Sequence, residues 1–271
     1  MKVLNRLSCL FIALILTVSG CGRYQKLLKS SDMEKKYQSA LQYYNEGDYF
    51  RASGLFEELI PVFRATKKAE NIYFHYAYCY YQQKEYEMAA FHFENFVKTF
   101  PNGEKAEECL FMDAYCYYLN SPGPTLDQEN THKAINNLQL FINKYPQSPR
   151  VAQSNEYIDL LREKLQAKDF GNAKLYYDMG EYKAAIVAFK ILLKDYPDSK
   201  FKEEALFYST RAYFLLASNS IESKKEERFK STLQSYYTFI DAYPTSKYSK
   251  QAQDIYSKTT AHLEHEAKKQ Q

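Results

Sequence analysis

Four times in this 271-residue chain an aromatic residue followed by proline closes a stretch of helix-period apolar residues. The closing strings are TFPNGEK (Thr99 to Lys105), KYPQSPR (Lys144 to Arg150), DYPDSKF (Asp195 to Phe201) and AYPTSKY (Ala242 to Tyr248). Ahead of the first three prolines the same offsets hold one small and two large residues: Ala89, Phe93 and Phe96; Ala134, Leu138 and Phe141; Ala185, Phe189 and Leu192. Ahead of the fourth, Thr232 stands where alanine would be, and Ala52, Phe56 and Leu59 repeat the trio with no closing proline. Steps of four and three put each trio on one helical face, and proline cannot sit inside the helix that it ends. Such a unit buries its face by stacking on neighbours like itself, so the pattern predicts an all-α superhelix of paired helices.

The small-to-large register resembles the tetratricopeptide repeat, whose unit is about 34 residues. Five helix pairs and a C-terminal capping helix account for the chain. The closing prolines lie 45, 51 and 47 residues apart, all longer than the ideal unit. Two polar stretches, Ser121 to Thr131 and Ser218 to Arg228, explain the first and last excess. The middle one predicts a long connecting helix between repeats three and four, since Pro149 to Met179 contains no further proline and only Gly171 as a weak point. The expected organisation is 1–20 as a signal peptide, 21–31 as a flexible tether, 32–148 as repeats one to three, 149–179 as the long helix running into repeat four, and 180–266 as the remainder of repeat four, repeat five and the cap. Pro61 should end or kink its helix. Lys84 stands where Gly47 and Gly180 mark the left-handed stop of other pairs, so its turn should cost a little more.

Lys2 and Arg6 followed by the apolar run Leu10 to Leu16 read as a secretory signal. Val18-Ser19-Gly20-Cys21 completes it as a lipobox, making Cys21 the expected lipid anchor. The run from Leu7 to Val18 is too short to cross a bilayer, which takes roughly 20 residues. Loss of Lys2 and Arg6 takes the 36 basic residues to 34, against 33 acidic, and no basic cluster remains that would serve nucleic acid. Cys79, Cys109 and Cys116 are read as small buried hydrophobes; Cys109 and Cys116, about 10 Å apart along one helix, are beyond the ~7 Å that a disulfide tolerates.

No catalytic constellation emerges. His262 and His265 could share a helical face but lack a third ligand, and His75, His92 and His132 have no ligand at metal spacing, so neither metal nor small-molecule substrate is expected, and no cofactor beyond the covalent lipid on Cys21. Carboxylate pairs such as Glu203 and Glu204 sit early in helices, where the dipole favours them. Surface remains. In paired-helix repeats the first helix of each pair lines the concave side, and there the chain sets Tyr37, Leu41, Tyr44, Phe74, Tyr78, Tyr81, Phe111, Tyr115 and Tyr118. These form a candidate groove for an extended or helical partner segment, unless the long helix or the tether fills it.

Lipobox, five repeats and two insertions together resemble the BamD family of lipoproteins that serve outer-membrane β-barrel assembly. Phe170 to Leu206 looks like the fourth repeat of that family, while AYCYYLNSPGPTLDQE (Ala114 to Glu129) and SIESKKEERF (Ser220 to Phe229) look like its Bacteroidetes-type branch. The resemblance implies a non-enzymatic scaffold on the periplasmic face of the outer membrane, docking through its carboxyl-terminal repeats on a BamA-type barrel subunit and receiving unfolded barrel precursors. The alternative is a generic periplasmic repeat adaptor for another envelope complex. A glycan-binding lipoprotein fits less well: sugar platforms favour tryptophan, and the chain has none among 27 tyrosines and 18 phenylalanines.

Overall fold

A computed structural model describes residues 22–64 and 66–269, and nothing of the side chain of Lys269. Cys21 and the expected signal peptide lie outside the described residues. Helices follow one another in the order α1 (Met33–Asn45), α2 (Tyr49–Phe63), α3 (Ala69–Gln82), α4 (Tyr86–Thr99), α5 (Ala106–Asn120), α6 (Glu129–Lys144), α7 (Val151–Asp178), α8 (Tyr182–Asp195), α9 (Lys202–Ser218), α10 (Glu222–Ala242) and α11 (Ser249–Lys269). No strand interrupts them among the described residues. The chain divides into two compact units, one comprising residues up to Ser121 with Glu129–Ile158, the other Pro122–Gln128 with Asp159–Gln271.

Each closing motif has the same local cause. The residue before proline is driven out of helical geometry, so Phe100, Tyr196 and Tyr243 take φ of −125°, −133° and −140° while their N–H groups still donate to Phe96, Leu192 and Phe239. Two residues past the proline, Ser148, Ser199 and Ser246 turn the chain, each hydroxyl accepting from the N–H two positions on, at 3.0–3.2 Å. Gly103 takes the serine's place after Pro101, its N–H donating to the Phe100 carbonyl at 3.1 Å.

Inside the first unit Ala52, Leu55, Phe56 and Leu59 of α2 pack with Ile72 and Cys79 of α3, and Ala89, Phe93 and Phe96 of α4 with Cys109, Leu110 and Cys116 of α5. All three cysteines are buried and unbridged. The second unit packs Ala185, Phe189 and Leu192 of α8 between Ala173 of α7 and Ala205 and Ala212 of α9. Farther on, Phe239 of α10 meets Phe207 of α9 and Ala252 of α11. Thr232 keeps the fifth trio dry by donating its buried hydroxyl to the Arg228 carbonyl at 3.0 Å.

Several local expectations are corrected. Residues 22–28 are helical, not an unstructured tether: Leu27 is buried in the first core, Tyr24 meets Tyr43 edge-on at 5.9 Å, and the Leu28 carbonyl accepts from the buried Lys36, which also pairs with Glu58. Pro61 does not stop α2, which runs on to Phe63; so near the end of the helix, one missing hydrogen bond is tolerated. The second polar stretch, Ser218 to Arg228, is largely helical: α9 reaches Ser218 and α10 begins at Glu222, so it lengthens the second helix of the fifth pair. By contrast, 121–128 is non-helical; Gln128 ties it by donating to the Gly123 and Leu126 carbonyls, and Lys168 of α7 donates to that of Leu126 at 2.7 Å.

The turns within the pairs carry their own test. Gly47 and Gly180 have φ of +80° and +82°, and Lys84, in the equivalent place, has +62°. A Cβ on Gly180 would meet nothing within 4 Å, so the penalty there is purely conformational. Gly180→Ala should therefore lower stability by about 1 kcal/mol, and Lys84→Gly raise it by a fraction of that. Urea midpoints of the two variants moving in the same direction would contradict this.

Candidate functional site

All nine residues of the expected groove lie in the first unit, on α1, α3 and α5. The structure brings them into a continuous row, but as packed side chains and not as a bare aromatic floor. Tyr37 and Phe111 are buried and the other seven half-buried. Tyr37 donates its hydroxyl to Asn71 at 2.8 Å and lies 6.2 Å from the Phe63 ring. Leu41 and Tyr44 pack on the first core, Tyr44 standing edge-on to His75 at 4.8 Å. Phe74 and Tyr78 are 4.7 Å apart; Tyr78 leans on Phe93 at 5.0 Å and on Tyr81 at 5.9 Å, and Tyr81 reaches Tyr115 at 6.4 Å. Phe111, Tyr115 and Tyr118 then stack in succession, each 5.8 Å from the next.

At that end the chain covers its own row. Tyr157 of α7 stacks on Tyr118 at 4.2 Å and on Tyr115 at 5.5 Å. Arg150 lies over Phe111 at 4.5 Å, Lys105 over Phe74 at 5.3 Å and Lys68 over Tyr37 at 4.9 Å, so cations edge the row throughout. Burial pushes the Tyr44 hydroxyl up to about 12 and raises those of Tyr37 and Tyr81. Burial, then the hydrogen bond donated to Glu108 at 2.6 Å, raises that of Tyr78. These tyrosines are neutral donors and none is a base.

The histidines separate by environment. His75 Nδ1 lies 2.8 Å from the Asn71 carbonyl. His92 is buried among Tyr73, Tyr76 and Tyr80 with both ring nitrogens unpartnered, and burial holds it down to about 4. Its ring is part of the packing.

A second surface escaped the sequence reading. Leu175, Tyr176 and Met179 near the end of α7 and Val187 and Ile191 of α8 are all exposed, Met179 to 66%. Leu175, Tyr176, Ala188 and Ile191 line one shallow depression with Asp169 and Asn172. Leu175 and Met179, and Val187 and Ile191, are i, i+4 pairs out of phase with the buried Ala185, Phe189 and Leu192. That second apolar stripe was the available signal.

Paired helices locked by small-to-large contacts define an all-helical tetratricopeptide-type protein, and no described helix is long and apolar enough to cross a membrane. The chain belongs to the YfiO family of outer-membrane lipoproteins, the BamD-like proteins, whose family model matches residues 29–228. It is also similar to a crystal structure of a tetratricopeptide-repeat protein from Bacteroides fragilis, 14% identical over 86% of this chain and 100% of that one, with a TM-score of 0.42. Another, from Parabacteroides merdae, is 13% identical over 86% and 93% of the two chains, with a TM-score of 0.37. No curated protein matches the sequence.

Proposed function

We propose that this protein is a non-enzymatic scaffold of outer-membrane β-barrel assembly, anchored at the periplasmic face by lipid on Cys21. In this reading it docks on a BamA-type barrel subunit and receives unfolded barrel precursors. Family membership supports the compartment and the assembly role. The exposed side chains of Leu175, Met179, Val187 and Ile191, of which Leu175 and Ile191 line one depression, carry the docking reading, because clustered apolar side chains left in water mark a protein interface. It falls in the carboxyl-terminal half, where docking is expected. Precursors are assigned to the row between Tyr44 and Tyr81, which presents half-buried rings with polar tips to extended apolar segments. Tyr115 and Tyr118 contribute less, being stacked beneath Tyr157.

Recovery from detergent-solubilised membranes tests the docking. The paired change Leu175→Asp and Met179→Asp should cut co-purification of the barrel subunit at least about tenfold, in line with loss of an interface hot spot, while leaving helical circular dichroism unchanged. Undiminished recovery would remove the docking surface from this patch. A photo-cross-linker at position 81 should capture precursors, and one at the exposed position 224 should not.

A further inference from the structure

The insertion that lengthens α10 brings its first turn to the carboxyl-terminal end of α11. Glu222 of α10 and His262 and Glu266 of α11 each offer one donor atom, and the three atoms lie within 4.8 Å of one another. His262 Nε2 is shut off from solvent and has no hydrogen-bond partner, although a ring nitrogen ordinarily finds one. The ring is held in place by Phe229, its centroid 4.3 Å away. The expectation of no metal at this end rested on the want of a third ligand beside His262 and His265. Tertiary structure supplies Glu222, 40 positions upstream, and turns His265 away toward Glu266, with Nδ1 3.3 Å from Oε1.

We propose that Glu222, His262 and Glu266 form a site for a divalent first-row transition ion, zinc above all, that clamps α11 to the start of α10. Ligand chemistry selects the ion: one imidazole and two carboxylates suit a borderline cation, whereas calcium and magnesium take oxygen-only sets. Two carboxylates and a neutral imidazole balance its charge. Donors bound at 2.0–2.2 Å around a tetrahedral centre lie roughly 3.3–3.6 Å apart, so side-chain rotation of about an ångström closes the site, and water fills the fourth position. Lys225 lies 2.9 Å from a Glu222 oxygen. A carboxylate has two oxygens and can accept from Lys225 or His265 on one while binding an ion on the other.

Titration calorimetry of zinc chloride into the full chain tests this. One saturable site per chain is expected below about 10 µM, with no comparable heat from calcium or magnesium. His262→Gln, which retains bulk against Phe229, and Glu222→Gln, on an exposed residue, should each weaken zinc by more than the ~10-fold lower bound for losing a mere outer-shell partner. His265→Ala should leave the affinity unchanged. Zinc should also raise the melting temperature of the wild type and not of His262→Gln. Binding that survives both His262→Gln and Glu222→Gln, or the absence of saturation by about 100 µM, would leave an adventitious ion only and overturn the proposal.

Discussion

Phe189→Ala should cost about 3–5 kcal/mol. Phe189 is fully buried, between the Phe170 ring at 6.0 Å and the Tyr208 ring at 6.4 Å, and it seats against Ala173, Ala185 and Ala205. Small residues line the cavity that its loss would open, so few side chains can lean in to refill it. Units of a repeat array are stabilised mainly by their nearest neighbours, and the loss should therefore concentrate in α7 to α9. Hydrogen exchange should show those amides opening at lower denaturant while α1 to α4 keep wild-type protection. Ile191→Ala, two residues on but exposed, should stay within about 0.5 kcal/mol. A Phe189→Ala loss below about 1 kcal/mol would mean that the trio is not what locks the pairs.

Asp113→Asn should remove a pH dependence of stability that the wild type carries. Asp113 is buried on α5; its Oδ2 accepts from Asn137 at 3.0 Å and its Oδ1 has no partner. Burial, then the charge of Glu94, pushes its carboxyl up from 3.8 to about 8, against the pull of Lys98 and Asn137. A raised acid binds its proton more tightly folded than unfolded. Its contribution is thus complete below pH 3.8 and drains away as pH rises toward about 8, by at most ~1.4 kcal/mol per pH unit. Asparagine has nothing to ionise, so the variant should gain on the wild type by a few kcal/mol between pH 5 and pH 9. His92, held down to about 4, acts oppositely, its contribution being lost as pH falls from 6.5 toward that value. Since His92 is common to both proteins, the difference between their urea midpoints isolates Asp113. A difference that does not change with pH would show the carboxyl to be ionised in the fold.

The repeat core was legible because each trio repeats a local rule. Ala185, Phe189 and Leu192 need only helical periodicity to be recognised, and the Tyr196-Pro197 step needs only the steric conflict before proline to end α8. The aromatic row was legible as a set of positions but not as a surface. Whether Tyr118 faces solvent depends on Tyr157, 39 positions away, and sequence spacing carries no information about a stacking contact between helices. The stripe of Leu175, Met179, Val187 and Ile191 was overlooked for a related reason. Apolar residues at helical spacing read as core until the other face of the same helix is seen to be buried already.

From the residues in order come the paired helices, their stops at aromatic-proline steps and the long α7, since each follows from interactions within a few positions of the chain. Tertiary structure alone decided that Tyr157 covers one end of the aromatic row, that Leu175 of α7 and Ile191 of α8 line one depression, and that Glu222 reaches His262 and Glu266. Those depend on where separate helices come to rest, which is set by the summed packing of many side chains and by no local motif.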